Sequence, residues 1–175
     1  MTEGHRRIDR IREPAFVEGL DALGIDDLRA RRDECLSERE YLSLLRRLVQ
    51  GRAEILQAEI ESRRAEGELT PLIDRLAEIL TADEVPTESR GEVVRVGLPE
   101  EEMLLARRRV ERLVADAGIS DPATLDDRAL EAAVDVLHQE ERVVSDQRRA
   151  VLQILDTVQA ELKRRYKDDP TLALR

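Results

Sequence analysis

The chain has 175 residues, 39% of them charged, with a net charge of −10 and only 2% aromatics. Such acidity excludes the basic footprint of a direct DNA or RNA binder and suits a basic partner protein instead. The dominance of Leu, Ala, Glu and Arg favours long helices over a thick globular core, in one domain with or without arms.

Residues 1 to about 13 read as a flexible charged arm with no apolar run of the secretory kind. "PAFVEGLDALG" predicts a short apolar helix carrying Phe16, Val17, Leu20 and Leu23, stopped by Gly24. These elements make up residues 1–25. A first long helix then occupies residues 26–66, with Asp26 as its N-cap and Gly67 as its stop. Its apolar positions are Leu28, Cys35, Leu42, Leu45, Val49, Leu56 and Ile60, with Gly51 as the one weak point.

A connector covers residues 67–125. It holds one short helix at 71–80, opened by Thr70 and Pro71, and a second from Pro99 to about 115, opened by acidic residues that suit its dipole. Residues 82–98 break helical periodicity and read as a loop or a short extended piece around "EVVRV". A second long helix runs from about Asp126 to Arg165 within the last segment, 126–175, and ends in a frayed tail.

The expected fold class is therefore all-α, with two long helices in a coiled coil and short accessory helices. A connector of about 60 residues permits pairing within one chain or between two. Cys35 is the only cysteine, so no internal disulfide is available. No apolar run approaches the ~20 residues of a membrane span. The expected location is the cytoplasm.

The second long helix has a seam of Leu137, Val144, Val151 and Val158 at steps of seven, with Leu155 and Leu162 four residues beyond the last two. Continued backwards, the second seam position falls on Arg148 and Glu141. Glu141, Ser145, Arg148 and Asp156 lie within about 80° of one another on a helix. Ser43, Arg46, Gln50 and Glu54 form the same kind of stripe on the first helix, again within about 80°.

The two helices align without a gap at an offset of 102 residues. Ser43 then matches Ser145, Arg46 matches Arg148, Glu59 matches Glu161 and Arg63 matches Arg165. Shared heptads explain the apolar matches but not the Ser and Arg ones. Polar seam residues are attested as register-setting devices. A ligand is the other reading, because buried charges need partners. Carboxylates accept from guanine N1–H and N2–H₂, and Arg donates to O6 and N7, pairs with phosphate or stacks on a base. Ser and Gln serve phosphate, sugar or base edges. The set matches a guanine nucleotide.

"SLLRRLVQGRAEIL" and "ERVVSDQRRAVLQILD" resemble the motif of the cyclic-di-GMP-responsive anti-sigma factors of actinobacteria, the RsiG type, over roughly half the chain. In that family, Glu-x3-Ser-x2-Arg-x3-Gln-x3-Asp stands on each helix of an antiparallel coiled coil. The resemblance implies that Ser43, Arg46, Gln50, Glu54, Glu141, Ser145, Arg148 and Asp156 bind cyclic di-GMP. It also implies that the loaded protein holds a flagellar or sporulation sigma factor of the WhiG type away from RNA polymerase. The chain departs from the motif at Arg39, where the family has Glu, at Leu152, where it has Gln, and at Glu54, where it has Asp. The alternative is a ligand-independent coiled-coil interaction or dimerisation module.

No glycine-rich phosphate loop occurs. His5 and His138 are far apart, and neither has a metal-ligand pattern beside it. No enzyme is expected.

Overall fold

The computed structural model describes residues 7–65, 97–116, 118 and 122–174, and among these there is no strand. The helices are α1 (Arg7–Arg12), α2 (Ile25–Arg64), α3 (Glu100–Asp116) and α4 (Asp127–Asp168). The expected helix at 71–80, the expected loop or extended piece up to residue 96 and the stop at Gly67 lie outside the described residues.

Neither long helix contains a proline, and each carries apolar residues at steps of seven. Leu28, Cys35, Leu42, Val49 and Leu56 on α2, and Leu130, Leu137, Val144, Val151 and Val158 on α4, are all buried. Burying one such side chain stabilises by roughly 1.5–3 kcal/mol, which is what holds helices this long together. Gly51 is tolerated inside α2, and a Cβ built there meets nothing within 4 Å. Gly51→Ala is therefore expected to raise stability by about 1 kcal/mol, read from denaturant unfolding.

The chain forms two compact units. One comprises Met1–Ser43 and Val144–Arg175, and the other Leu44–Val143. In the first, Arg29 Nε donates to the Tyr166 hydroxyl at 3.1 Å and Arg148 Nε to Ser43 Oγ at 3.0 Å. In the second, Arg46 Nη1 lies 3.4 Å from Glu141 Oε1, and Arg64 Nη2 lies 2.5 Å from Glu131 Oε1. In each unit, rising numbers on α2 meet falling numbers on α4. In each unit the helices pair antiparallel within the chain.

Two sets of contacts recur in both units at the 102-residue offset. Arg7 of α1 bonds Glu38 at 2.7 Å, and Arg109 of α3 bonds Glu140 at 2.6 Å. Ile8 and Val110, beside those arginines, are both buried. Arg165 is held by Glu161 at 2.7 Å and donates to the carbonyls of Leu20, Asp21 and Leu23. Arg63 is held by Glu59 at 2.8 Å and donates to the carbonyls of Pro122 and Leu125, at the positions matching Leu20 and Leu23. Each arginine thus clamps the turn that precedes the other long helix.

Several element boundaries differ from expectation. Residues 7–12 are helix rather than arm, because Ile8 and Ile11 are buried. "PAFVEGLDALG" forms two 3-10 turns, Pro14–Phe16 and Leu20–Ala22, separated at Gly19, whose φ of 64° no regular helix accepts. Helix α2 starts at Ile25, with Leu28 N–H donating to Gly24 O at 3.1 Å, so Asp26 is not the N-cap. The Asp26 carboxylate instead pairs with Arg29 at 3.3 Å. Asp126 does cap α4, accepting from Ala129 N–H at 2.7 Å. The tail is not frayed: α4 reaches Asp168, a 3-10 segment follows at Pro170–Leu174, and Arg29 Nη2 donates to Leu172 O.

Two buried polar atoms carry consequences. Burial, aided by the charges of Glu34 and Glu38, pushes the Cys35 thiol up to about 12. The thiol stays protonated at neutral pH, so a thiolate-selective reagent is expected to label Cys35 only on unfolding. Gln147 Oε1 is buried with no hydrogen-bond partner. The residue 102 positions earlier is Leu45, fully buried. Gln147→Leu removes the orphaned acceptor and is expected to stabilise the chain by about 1 kcal/mol in thermal or denaturant unfolding.

Candidate functional site

In the middle of the seam stand four charged residues that share one spacing: Arg39 and Arg46 on α2, and Glu141 and Arg148 on α4. Each stands where the heptad spacing calls for an apolar residue, as Ala53 and Ile60 on α2 and Leu155 and Leu162 on α4 are. The slots divide between the units as two half-sites.

In the second unit, Glu141 accepts from Arg46 Nη1 at 3.4 Å and from Gln50 Nε2 at 3.3 Å. Both bonds are near the upper limit of hydrogen bonding, where the interaction is weak. Arg46 is 39% and Glu141 21% exposed at the side chain. An ion pair this long and this wet contributes about 0–1 kcal/mol. An apolar pair in the same slots would hold the helices at least as well. Stability is therefore a poor reason for Arg, Gln and Glu to converge here.

In the first unit, the Ser43 hydroxyl donates to its own helix at Arg39 O, 2.7 Å away, and accepts from Arg148 Nε. Arg39 occupies the slot that matches Glu141, and its guanidinium turns to the neighbouring Glu40 at 2.6 Å. Here the Arg148 guanidinium meets a hydroxyl, with Arg39 one turn earlier on α2, where the other half-site brings together a guanidinium, an amide and a carboxylate. Leu152, half-buried, stands at the position matching Gln50.

Of the eight residues singled out from the sequence, Arg46, Gln50 and Glu141 meet in one half-site, and Ser43 and Arg148 meet in the other. Ser145 is half-buried on α4. Glu54 and Asp156 are exposed. They lie eight residues, or about 12 Å, along their helices from Arg46 and Arg148, one beyond each half-site. A groove of about 480 Å³ in the second unit is lined by Gln57, Ile60, Glu61, Arg64, Glu131, Val134 and Asp135 and includes no stripe residue. No group of His, Cys, Asp and Glu among the described residues has the arrangement of a metal site.

Sequence reasoning missed the Arg63 and Arg165 clamps and the Arg7 and Arg109 braces. The signal was present, since each pair lies 102 residues apart with its acidic partner, Glu59 with Glu161 and Glu38 with Glu140.

Residues 14–80 match the model of the RsiG-like family. The match takes in α2, the turns before it and the stripe Ser43, Arg46, Gln50 and Glu54. The second stripe lies beyond it and is tied to the first by the internal repeat. No curated protein matches the chain.

Proposed function

We propose that this chain, matched to the RsiG-like family over residues 14–80, is an anti-sigma factor that binds cyclic di-GMP through the two half-sites. The ligand-loaded form holds a sigma factor of the flagellar or sporulation type. The observation that carries this reading is the pair of polar stripes along a largely apolar seam, repeated at an offset of 102. The family match supports the anti-sigma role. The chemistry of the residues supports the ligand.

The half-sites fit a guanine nucleotide by donor and acceptor type. Glu141 accepts from guanine N1–H and N2–H₂, an edge that only an acceptor can serve. Arg46 and Arg148 donate to O6 and N7, pair with phosphate or stack on the base. Gln50, Ser43 and Ser145 supply further polar contacts, and Glu54 and Asp156 add acceptors at the outer ends. The long Arg46–Glu141 and Gln50–Glu141 contacts are weak enough to be exchanged for ligand contacts at small cost. The net charge of −10 suits a basic partner such as a sigma factor. No helix among the described residues is long and apolar enough to cross a membrane, in keeping with a cytoplasmic regulator. The chain acts by binding and is not an enzyme.

Isothermal titration with cyclic di-GMP, on the chain alone and on its complex with the sigma factor, tests the ligand. A saturable heat in either state is expected, and no heat in both removes cyclic di-GMP from the account. A ligand-independent coiled-coil module is the second reading, favoured by the fact that Arg46 and Glu141 already partner each other. It predicts partner binding that ignores the nucleotide.

A further inference from the structure

We propose that the two half-sites are chemically unequal. Arg46, Gln50 and Glu141 read a guanine edge, whereas Arg39, Ser43 and Arg148 take a phosphate oxygen. This rests on the reading that the stripes bind a guanine nucleotide, and it assigns to each half-site the chemical group that it takes.

The argument comes from comparing the halves at the 102-residue offset. Arg46 and Arg148 match, so both halves bring one guanidinium. The partners do not match: Arg46 meets Glu141, whose counterpart at the offset is Arg39, one turn before the Ser43 that Arg148 meets. Guanine's N1–H and N2–H₂ are donors, and a guanidinium has no acceptor to offer them. The amide also differs, Gln50 in one half and Leu152 in the other. What remains is the Ser43 hydroxyl on Arg148 and, one turn earlier on α2, the guanidinium of Arg39, both suited to a phosphate oxygen. Glu40 holds Arg39 at 2.6 Å through one terminal nitrogen, which leaves the rest of the five-donor fork for another acceptor. Glu54 and Asp156 sit at matching positions and cannot create the difference. Position 39 therefore sets what the first half-site binds.

The test is calorimetric titration of the full chain with inorganic pyrophosphate, cyclic di-GMP and cyclic di-AMP, on the wild type, Arg39→Gln and Arg39→Glu. Thermal melts establish that each variant folds. The wild type is expected to bind pyrophosphate, about tenfold or more weakly in Arg39→Gln and not at all in Arg39→Glu. Arg39→Gln is expected to weaken both cyclic dinucleotides by a similar factor, because it removes a phosphate contact that the two share. Pyrophosphate binding that is absent, or indifferent to position 39, overturns the proposal. Where cyclic di-AMP binds the wild type, so does a loss in Arg39→Gln confined to cyclic di-GMP, which would mean that position 39 reads the base. If pyrophosphate binding follows position 39 while neither dinucleotide binds the wild type, the anion half-site stands and the guanine-nucleotide reading fails.

Discussion

Glu141→Ala is expected to weaken cyclic di-GMP binding by about 10- to 100-fold and to leave the melting temperature close to that of the wild type. The carboxylate is the acceptor for the guanine edge in its half-site, and a two-bond contact to a base edge is worth about 1–3 kcal/mol. At 1.4 kcal/mol per decade this spans roughly one to two orders of magnitude in affinity. Folding loses little, because the Arg46 and Gln50 contacts to Glu141 are 3.4 and 3.3 Å long and partly solvated. Titration calorimetry and a thermal melt of the same sample check both halves. The opposite pattern, a large drop in melting temperature with unchanged binding, would make Glu141 a register-setting residue with no ligand role.

Arg165→Met is expected to destabilise the chain by about 2 kcal/mol. One side chain holds Glu161 and the carbonyls of Leu20, Asp21 and Leu23, so its loss leaves several acceptors without their charged donor. Methionine keeps the stem's packing and removes the charge and the hydrogen bonds. Denaturant unfolding should show a lower midpoint with an unchanged slope. A shift below about 0.5 kcal/mol, the usual range for surface substitutions, would mean the clamp has no structural weight. Arg63→Met should act in the same direction on the turn at Pro122–Thr124. The clamp also makes stability depend on pH. Hydrogen bonds from Arg164 and Arg165 hold the Glu161 carboxyl down to about 2. Because its pKa is lowered on folding, its contribution is complete above the ordinary carboxylate value of about 4.5. It is lost as pH falls toward 2. Glu161→Gln should therefore flatten that part of the acid unfolding profile.

The all-α class was legible because a sustained heptad is a strong local signal, visible from Leu28 to Ile60 and again from Leu130 to Leu162. Helix α1 was not, because two apolar residues in six set no period. Ile8 and Ile11 are helical because they find a hydrophobic face to bury against, which is a tertiary fact. The tail looked frayed for the same reason: the partners of Arg29, Tyr166 and Leu172, are 137 and 143 residues away in sequence. At the candidate site, spacing along one helix was readable from residue numbers alone. The partners across helices were not, because antiparallel register depends on where α2 and α4 begin. Register is what sets Glu141 against Arg46 and Gln50 and gives Arg148 to Ser43. The inequality of the halves was visible at Arg39, yet its meaning needed the facing residue.

The most direct test of the central claim is a pull-down of the sigma factor by the purified chain, with and without cyclic di-GMP, repeated with Glu141→Ala and Arg148→Ala. The account predicts retention of the sigma factor that rises with cyclic di-GMP for the wild type and loses that dependence in both variants. Equal retention at every nucleotide concentration, for the wild type and the variants alike, would contradict it.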